Sequence, residues 1–419
     1  MKRTSTISLF FLVFTFFISL IRAGVPSEES NMKTILEKQN SFSFKFCSEI
    51  THEELKADLA KNIFVSPFSL NMALNLVLNA VDGETKNELS KVMNLSSASL
   101  EKINSANKWL LENLTTKPPI GAVVTKGVFT LEIANGIWLD NLFTVHPEYK
   151  NLVEKYYQTQ FSTLDFSDYQ SATRINDWVS LKTHGKIPEI ITADQLQNLV
   201  MLIANATYFK GQWESPFPIE STKNDQHFNS WLDNPGSESI SMMEQVSYLS
   251  YFEDKYTKIV EMPYVDSKVS AYIMLPNKKG YDSYMEVGDR IWTSTFWQQL
   301  DKNLKRKQGV LSMPIFQIEY KKILNDDLRK LGINSIFNND ANFSKLTPTE
   351  VAVSIVLQKT FVKVNEFGTE AAAVTGIGVR ETCEPDEPSF KMLVNRPFYF
   401  VIREKNSGSF LFVGAITKL

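Results

Sequence analysis

Apolar positions along this chain fall into two kinds of pattern, one of period two or unbroken and one of helical spacing. Leu199 to Phe209 (LVMLIANATYF) is almost continuously apolar, which predicts a strand covered on both faces at the centre of a sheet. Val269, Ala271, Ile273 and Leu275 alternate with positions that read as less buried, and Phe398 to Ile402 and Phe410 to Ile416 repeat the strand signal across a Lys405-Asn406-Ser407-Gly408 turn. The helical pattern is clearest after Ser66-Pro67, an N-cap followed by proline at the first helical position. The helix it opens, through Phe68, Leu70, Met72, Leu74, Leu76, Val77 and Leu78, is apolar all round, so it is expected to be buried and central. Ile175, Trp178 and Val179 are spaced for a helix ending near Gly185, and Ile323, Leu324, Leu328 and Leu331 repeat that spacing before Gly332. Both read as surface helices packed on a sheet. Helices dominate the first half and strands the second without regular βαβ alternation, which predicts an α+β fold with antiparallel or mixed sheets.

The first residues change the picture of where the protein works. Lys2 and Arg3 precede an apolar run from Ile7 to Ile21, and Ala23-Gly24 follow, the layout of a secretory signal peptide over residues 1–23. The run is shorter than the ~20 apolar residues a membrane-spanning helix needs. Residues 24–419 read as a single secreted domain, because no repeat, low-complexity block or long linker interrupts 30–419. With 43% hydrophobic and 22% charged residues the chain can build a substantial core, and a net charge of -3 gives no reason to expect nucleic acid or a membrane surface as partner. The basic cluster Lys302, Lys305, Arg306 and Lys307 reads as a solvated helix end, so a glycosaminoglycan partner is not expected. Two cysteines, Cys47 and Cys383, are too few for a disulfide-built scaffold. Sequons make Asn94, Asn113 and Asn342 glycosylation candidates for a secreted protein, whereas the sequon at Asn205 lies inside an apolar run and is expected to stay bare.

A search for catalytic chemistry finds none. His52, His146, His184 and His227 have no neighbours at metal-ligand spacing, and a nucleophile elbow, a P-loop and a dinucleotide-binding glycine fingerprint are all missing. No enzyme activity, metal or cofactor is expected.

The informative stretch is Asn365-Glu366-Phe367-Gly368-Thr369-Glu370-Ala371-Ala372-Ala373-Val374-Thr375-Gly376, followed by a polar segment to Pro388. NEFGTEAAAVTG resembles the proximal hinge of the serpin reactive-centre loop, and FKMLVNRPFYFVI with FLFVGAI resembles the strands that close serpin chains. The resemblance extends over NIFVSPFSLNMALNLVLNAVDGET, IANGIWL, INDWV with THGKI, NATYFKGQWESPF, MPIFQIEY, LRKLGINSIF and ANFSKL, in the family's order. It implies a metastable fold of three sheets and about eight or nine helices, with an exposed loop (about 366–394) offered to a protease. It also implies inhibition by a one-use trap: the protease forms an acyl-enzyme on the loop, the cleaved loop inserts as a new strand, and the protease is dragged and distorted.

The residues fit that requirement. In an inserted strand Thr369, Ala371, Ala373 and Thr375 share one face and Glu370, Ala372 and Val374 the other; the first set is small and uncharged, suited to face the core. No proline lies between Glu366 and Glu384, so each position can donate to a sheet ladder, and Gly368 is expected to serve as a pivot. By the same resemblance Ser66, Ser69 and Asn205 are polar positions beneath the main sheet that control its opening (the shutter), and Trp213 stands where the loop enters (the breach). Gln358 stands where most of the family has histidine. By the count usual in the family the resemblance points to, with Glu366 the first of seventeen residues, the reactive bond is expected at Thr382-Cys383, which suits an elastase-like protease. Arg380-Glu381, which suits a trypsin-like one, and Glu381-Thr382 are the alternatives. The expected partner of the monomer is an extracellular serine protease, with a cysteine protease as a variant. The competing reading is a non-inhibitory carrier, chaperone or storage protein, which charged, bulky or proline residues within Thr369 to Thr375 would signal; none is present.

Overall fold

The computed structural model describes residues 28–115, 130–157, 159–231, 239–265, 268–369 and 387–419. Expected features at residues 1–23 and 370–386, the signal peptide and most of the reactive loop, lie outside them.

Among the described residues, fifteen strands form two hydrogen-bonded sheets. The nine-stranded sheet contains β1 (Ile63–Val65), β5 (Lys223–His227), β6 (Ser239–Glu253), β7 (Thr257–Pro263), β8 (Val269–Pro276), β9 (Lys305–Pro314), β13 (Phe390–Leu393), β14 (Phe398–Glu404) and β15 (Phe410–Ile416). Its order is β1-β15-β14-β8-β7-β6-β9-β13, with β5 on β6. The six-stranded sheet contains β2 (Thr130–Asp140), β3 (Gln160–Leu164), β4 (Met201–Gln212), β10 (Phe316–Ile323), β11 (Ile355–Asn365) and β12 (Gly368–Thr369), in the order β10-β11-β12-β4-β2-β3.

Alternation along β4 explains why its run is unbroken. Leu202, Ala204, Ala206 and Tyr208 pack with Ile175 and Val179 of the helix Tyr169–Lys182, which lies across one face. Met201, Ile203 and Phe209 belong to the larger core on the other face. There lies the helix Pro67–Ala80, every residue of which is buried, opened by Ser66 Oγ accepting from the Ser69 amide at 3.2 Å.

The structure refines the sheet and helix counts and corrects three expectations. Among the described residues a third sheet does not separate, because β6, at 15 residues, pairs with β9 over Met242–Tyr251 and with β7 over Ser250–Glu253, so one strand carries a continuous ladder across both halves. Among the described residues there are ten α-helices, in keeping with the expected α+β serpin fold, two of them the short Ala193–Leu196 and Asn325–Lys330. The spacing Ile323 to Leu331 straddles a strand-to-helix junction: Ile323 ends β10, and the helix that follows has six residues. The alternation in β8 is only apparent, since all eight residues are buried; Tyr272 meets Trp297 edge-on, and Ser270 donates to Glu261 at 2.9 Å. Finally, Lys305, Arg306 and Lys307 begin β9 rather than ending a helix, although they and Lys302 are exposed.

Candidate functional site: a fork in the six-stranded sheet

Strands β4 and β11 run parallel and pair directly from Leu202↔Ile355 to Tyr208↔Phe361. Past that point they separate. The chain turns over Glu366 and Phe367 and returns as β12, whose Gly368 and Thr369 pair antiparallel with Asn365 and Val364 of β11 and with Gln212 and Gly211 of β4. A strand continued beyond Thr369 in this direction runs into the ladder where β4 and β11 are bonded to each other.

Side chains fix the fork. Asn365 Oδ1 accepts from the amides of Phe367 (3.0 Å) and Gly368 (3.2 Å). Glu366 Oε1 accepts from Thr222 Oγ1 at 2.8 Å, and the Glu366 and Phe367 carbonyls accept from the amides of Phe217 and Trp213, both at 2.9 Å. Trp213 also donates its indole proton to the Asn365 carbonyl at 3.1 Å and stacks on Tyr264, ring centroids 4.6 Å apart. The Tyr264 hydroxyl lies 2.7 Å from Thr369 Oγ1. Burial pushes the Tyr264 phenol far above its ordinary range, so it remains an un-ionised partner. Gly368 has a tighter task than a pivot: at φ +150 a Cβ there would lie 2.0 Å from the Gly211 carbonyl oxygen. Its missing side chain admits the third strand.

Beneath the paired part of β4 and β11 lies a polar cluster in an apolar core. Gln358 and Asn205 are register partners, and Gln358 Nε2 donates to Asn205 Oδ1 at 2.9 Å and to the Ser66 carbonyl at 3.0 Å. Gln358 Oε1 accepts from the Ser66 amide at 3.0 Å. Ser66 Oγ donates to the Leu411 carbonyl at 2.7 Å, Ser69 Oγ to Asn135 Oδ1 at 3.0 Å, and Asn205 Nδ2 to both Ser69 Oγ and Asn135 Oδ1. The Gln358 amide is fully used, so a neutral side chain satisfies the position.

The structure thus brings together Ser66, Ser69, Asn205 and Gln358 at one place and Trp213, Glu366, Gly368 and Thr369 at another. Thr369 points to the core with Tyr264, the face assigned to it in an inserted strand. Glu370, Ala371, Ala372, Ala373, Val374, Thr375, Arg380, Glu381, Thr382 and Cys383 lie outside the described residues. The motifs did not single out Asn135, Asn365 or Tyr264. Asn365 left a signal, an Asn three residues before a glycine in a turn; Asn135 and Tyr264 act only through long-range contacts. Among the glycosylation candidates, Asn94, Asn113 and Asn342 are exposed, whereas Asn205 is wholly buried with its amide engaged.

The family model described as "Serpin (serine protease inhibitor)" matches residues 37–419. The human leukocyte elastase inhibitor is 30% identical over 90% of this chain and 99% of its own length. Among solved structures, Serpin48 of the insect Tenebrio molitor matches with a TM-score of 0.78 at 28% identity, covering 94% of this chain and 100% of that one. Human thyroxine-binding globulin matches with a TM-score of 0.79 at 25% identity, covering 92% and 99%. With a sheet forked around the short strand β12 and a family match across nearly its whole length, the chain belongs to the serpin family.

Proposed function

We propose that this protein is a secreted, single-use inhibitor of an extracellular serine protease that is cleaved at Thr382-Cys383, with Arg380-Glu381 and Glu381-Thr382 as the competing bonds. The observation that carries this reading is β12: the two residues that lead into the loop are seated between β4 and β11, with Thr369 turned to the core. Continuing the strand exchanges one ladder, β4 with β11, for two. The positions that share Thr369's face, Ala371, Ala373 and Thr375, are small and uncharged, and no proline lies before Pro385, so the sequence suits such a continuation. The human relative named for inhibiting leukocyte elastase favours a protease with a small specificity pocket, as does Thr382.

The test incubates the mature protein with elastase-, trypsin- and chymotrypsin-like proteases, followed by denaturing gels and sequencing of the released C-terminal peptide. A complex that survives denaturation, with a new N-terminus at Cys383, supports inhibition at that bond; a start at Glu381 or Thr382 moves the bond while keeping the mechanism. The structural likeness to thyroxine-binding globulin favours a second reading, a carrier. Clean loop cleavage by every protease without any complex selects it. Secretion is tested separately by expression in a secretory cell, where the proposal expects medium protein beginning at Gly24; retention of an uncleaved N-terminus in the cell refutes it.

A further inference from the structure

The helix Pro67–Ala80 carries Asn71, Asn75 and Asn79 four residues apart, and all three are buried. That spacing puts them on one face, where each donor and acceptor needs a partner because water is excluded. The outer two find partners in neighbouring helices. Asn71 Nδ2 donates to Ser43 Oγ at 2.8 Å on the helix Glu28–Ala57. Asn79 and Asn104 exchange amide-to-carbonyl bonds at 2.9 Å, Asn104 belonging to the helix Leu100–Thr115. Tyr157, on the helix Pro147–Tyr157, donates its hydroxyl proton to Asn104 Oδ1 at 2.5 Å and accepts from Asn107 Nδ2 at 3.3 Å. Asn107 Oδ1 accepts from Gln39 Nε2 at 3.1 Å, and the Gln39 carbonyl accepts from Ser43 Oγ at 3.2 Å. These bonds run from Asn71 through three other helices and back to Asn79. Asn75 occupies the helical turn between the two ends.

Asn75 is wholly buried, and neither its Oδ1 nor its Nδ2 meets a protein partner; one turn away, Asn71 Oδ1 is equally unbonded. Two acceptors and one NH2 group on the same face complement a molecule that both donates and accepts. No charged side chain belongs to the chain of bonds, which disfavours a cation beside the NH2 group and an anion beside two carbonyl oxygens. We propose that Asn71 and Asn75 form an internal hydration site, in which one or two water molecules complete the polar junction of the four helices. Ser66 and Ser69, beneath the β4–β11 ladder, lie at the start of the same helix, so the hydrated junction and the polar cluster share one rigid element.

The first test is a high-resolution crystal structure of the mature protein. It is expected to show water density within hydrogen-bond distance of both Asn75 and Asn71 Oδ1; an empty site, or an Asn75 amide turned onto a protein partner, overturns the proposal. The second compares long-lived internal waters in the wild-type protein and Asn75→Leu by oxygen-17 magnetic relaxation dispersion, with Asn71→Leu as the substitute if the first variant does not fold. The wild-type protein is expected to hold at least one more such water than the folded variant, and equal numbers overturn the site.

Discussion

Gln358 and Gly368 each do a task that another residue type would do differently. Gln358 bridges β11 and β4, using both amide protons and its carbonyl oxygen, and it carries no titratable proton. A histidine there has only the neutral groups of Ser66 and Asn205 around it, and burial lowers its pKa below the usual value of about 6.5. The unfolded chain then binds a proton as pH falls through about 6.5 while the folded one does not. Gln358→His is therefore expected to lose stability below that pH, relative to wild type, at up to about 1.4 kcal/mol per pH unit; urea midpoints measured from pH 8 to 5 check it, and parallel curves refute it. At Gly368 the obstacle is steric. Gly368→Ala puts a methyl group against the Gly211 carbonyl, which is expected to unseat β12. Amide hydrogen exchange at Thr369 should accelerate about 10-fold or more relative to wild type, the equivalent of losing a net hydrogen bond of about 1.4 kcal/mol.

Elements were legible where their signal was local and obscure where it depended on a distant partner. Ser66-Pro67 announced the buried helix because cap and first-turn proline are neighbours in sequence, and LVMLIANATYF announced the central strand because both faces are covered. The junction at Ile323 was misread because the last residues of a strand and the first of a helix can together imitate a helical period. The merging of sheets through β6 has no signature at all, since alternation does not name a pairing partner. Of the expected hinge, Glu366, Gly368 and Thr369 fall among the described residues, and the seating of Gly368 and Thr369 between β4 and β11 left no local signal. One anchor of these elements was invisible for the same reason: Lys322, at the end of β10, reaches Glu54 of the helix Glu28–Ala57 at 2.6 Å and Asp327 at 2.8 Å. Burial raises both carboxyls; at Glu54 hydrogen bonds from Lys322 and Lys61 outweigh it and hold the group below its usual range, while Asp327 stays above. Lys322→Met leaves both without their shared cation, at an expected cost of about 3 kcal/mol at pH 7. With folded pKa values then above the unfolded ones, the deficit should shrink as pH falls toward 4. Urea midpoints at pH 7 and 4.5 test this, and a deficit that grows on acidification contradicts it.

At the scale of the molecule, the two sheets have different duties. The six-stranded sheet is forked at one end and bonded shut below the fork, so under the proposed function its centre is where a ladder would be exchanged. The nine-stranded sheet shows no such opening among the described residues, and two of its interior strands come from the last part of the chain: β14 lies between β8 and β15, β15 between β14 and β1, and every residue of both is buried. The edge strand β13 is held as well, with Phe390 stacked on Tyr251 at 4.0 Å over Gly309, where no Cβ fits. Cutting the loop anywhere before Phe390 therefore severs the polypeptide without dividing the particle. The short downstream piece is a keystone rather than a tail, and a nicked molecule should keep the size of an intact one on a gel-filtration column, yielding two chains only when it is denatured. Loss of the short chain under native conditions would refute this. A single cut is thus expected to stay recorded inside a particle that still looks whole.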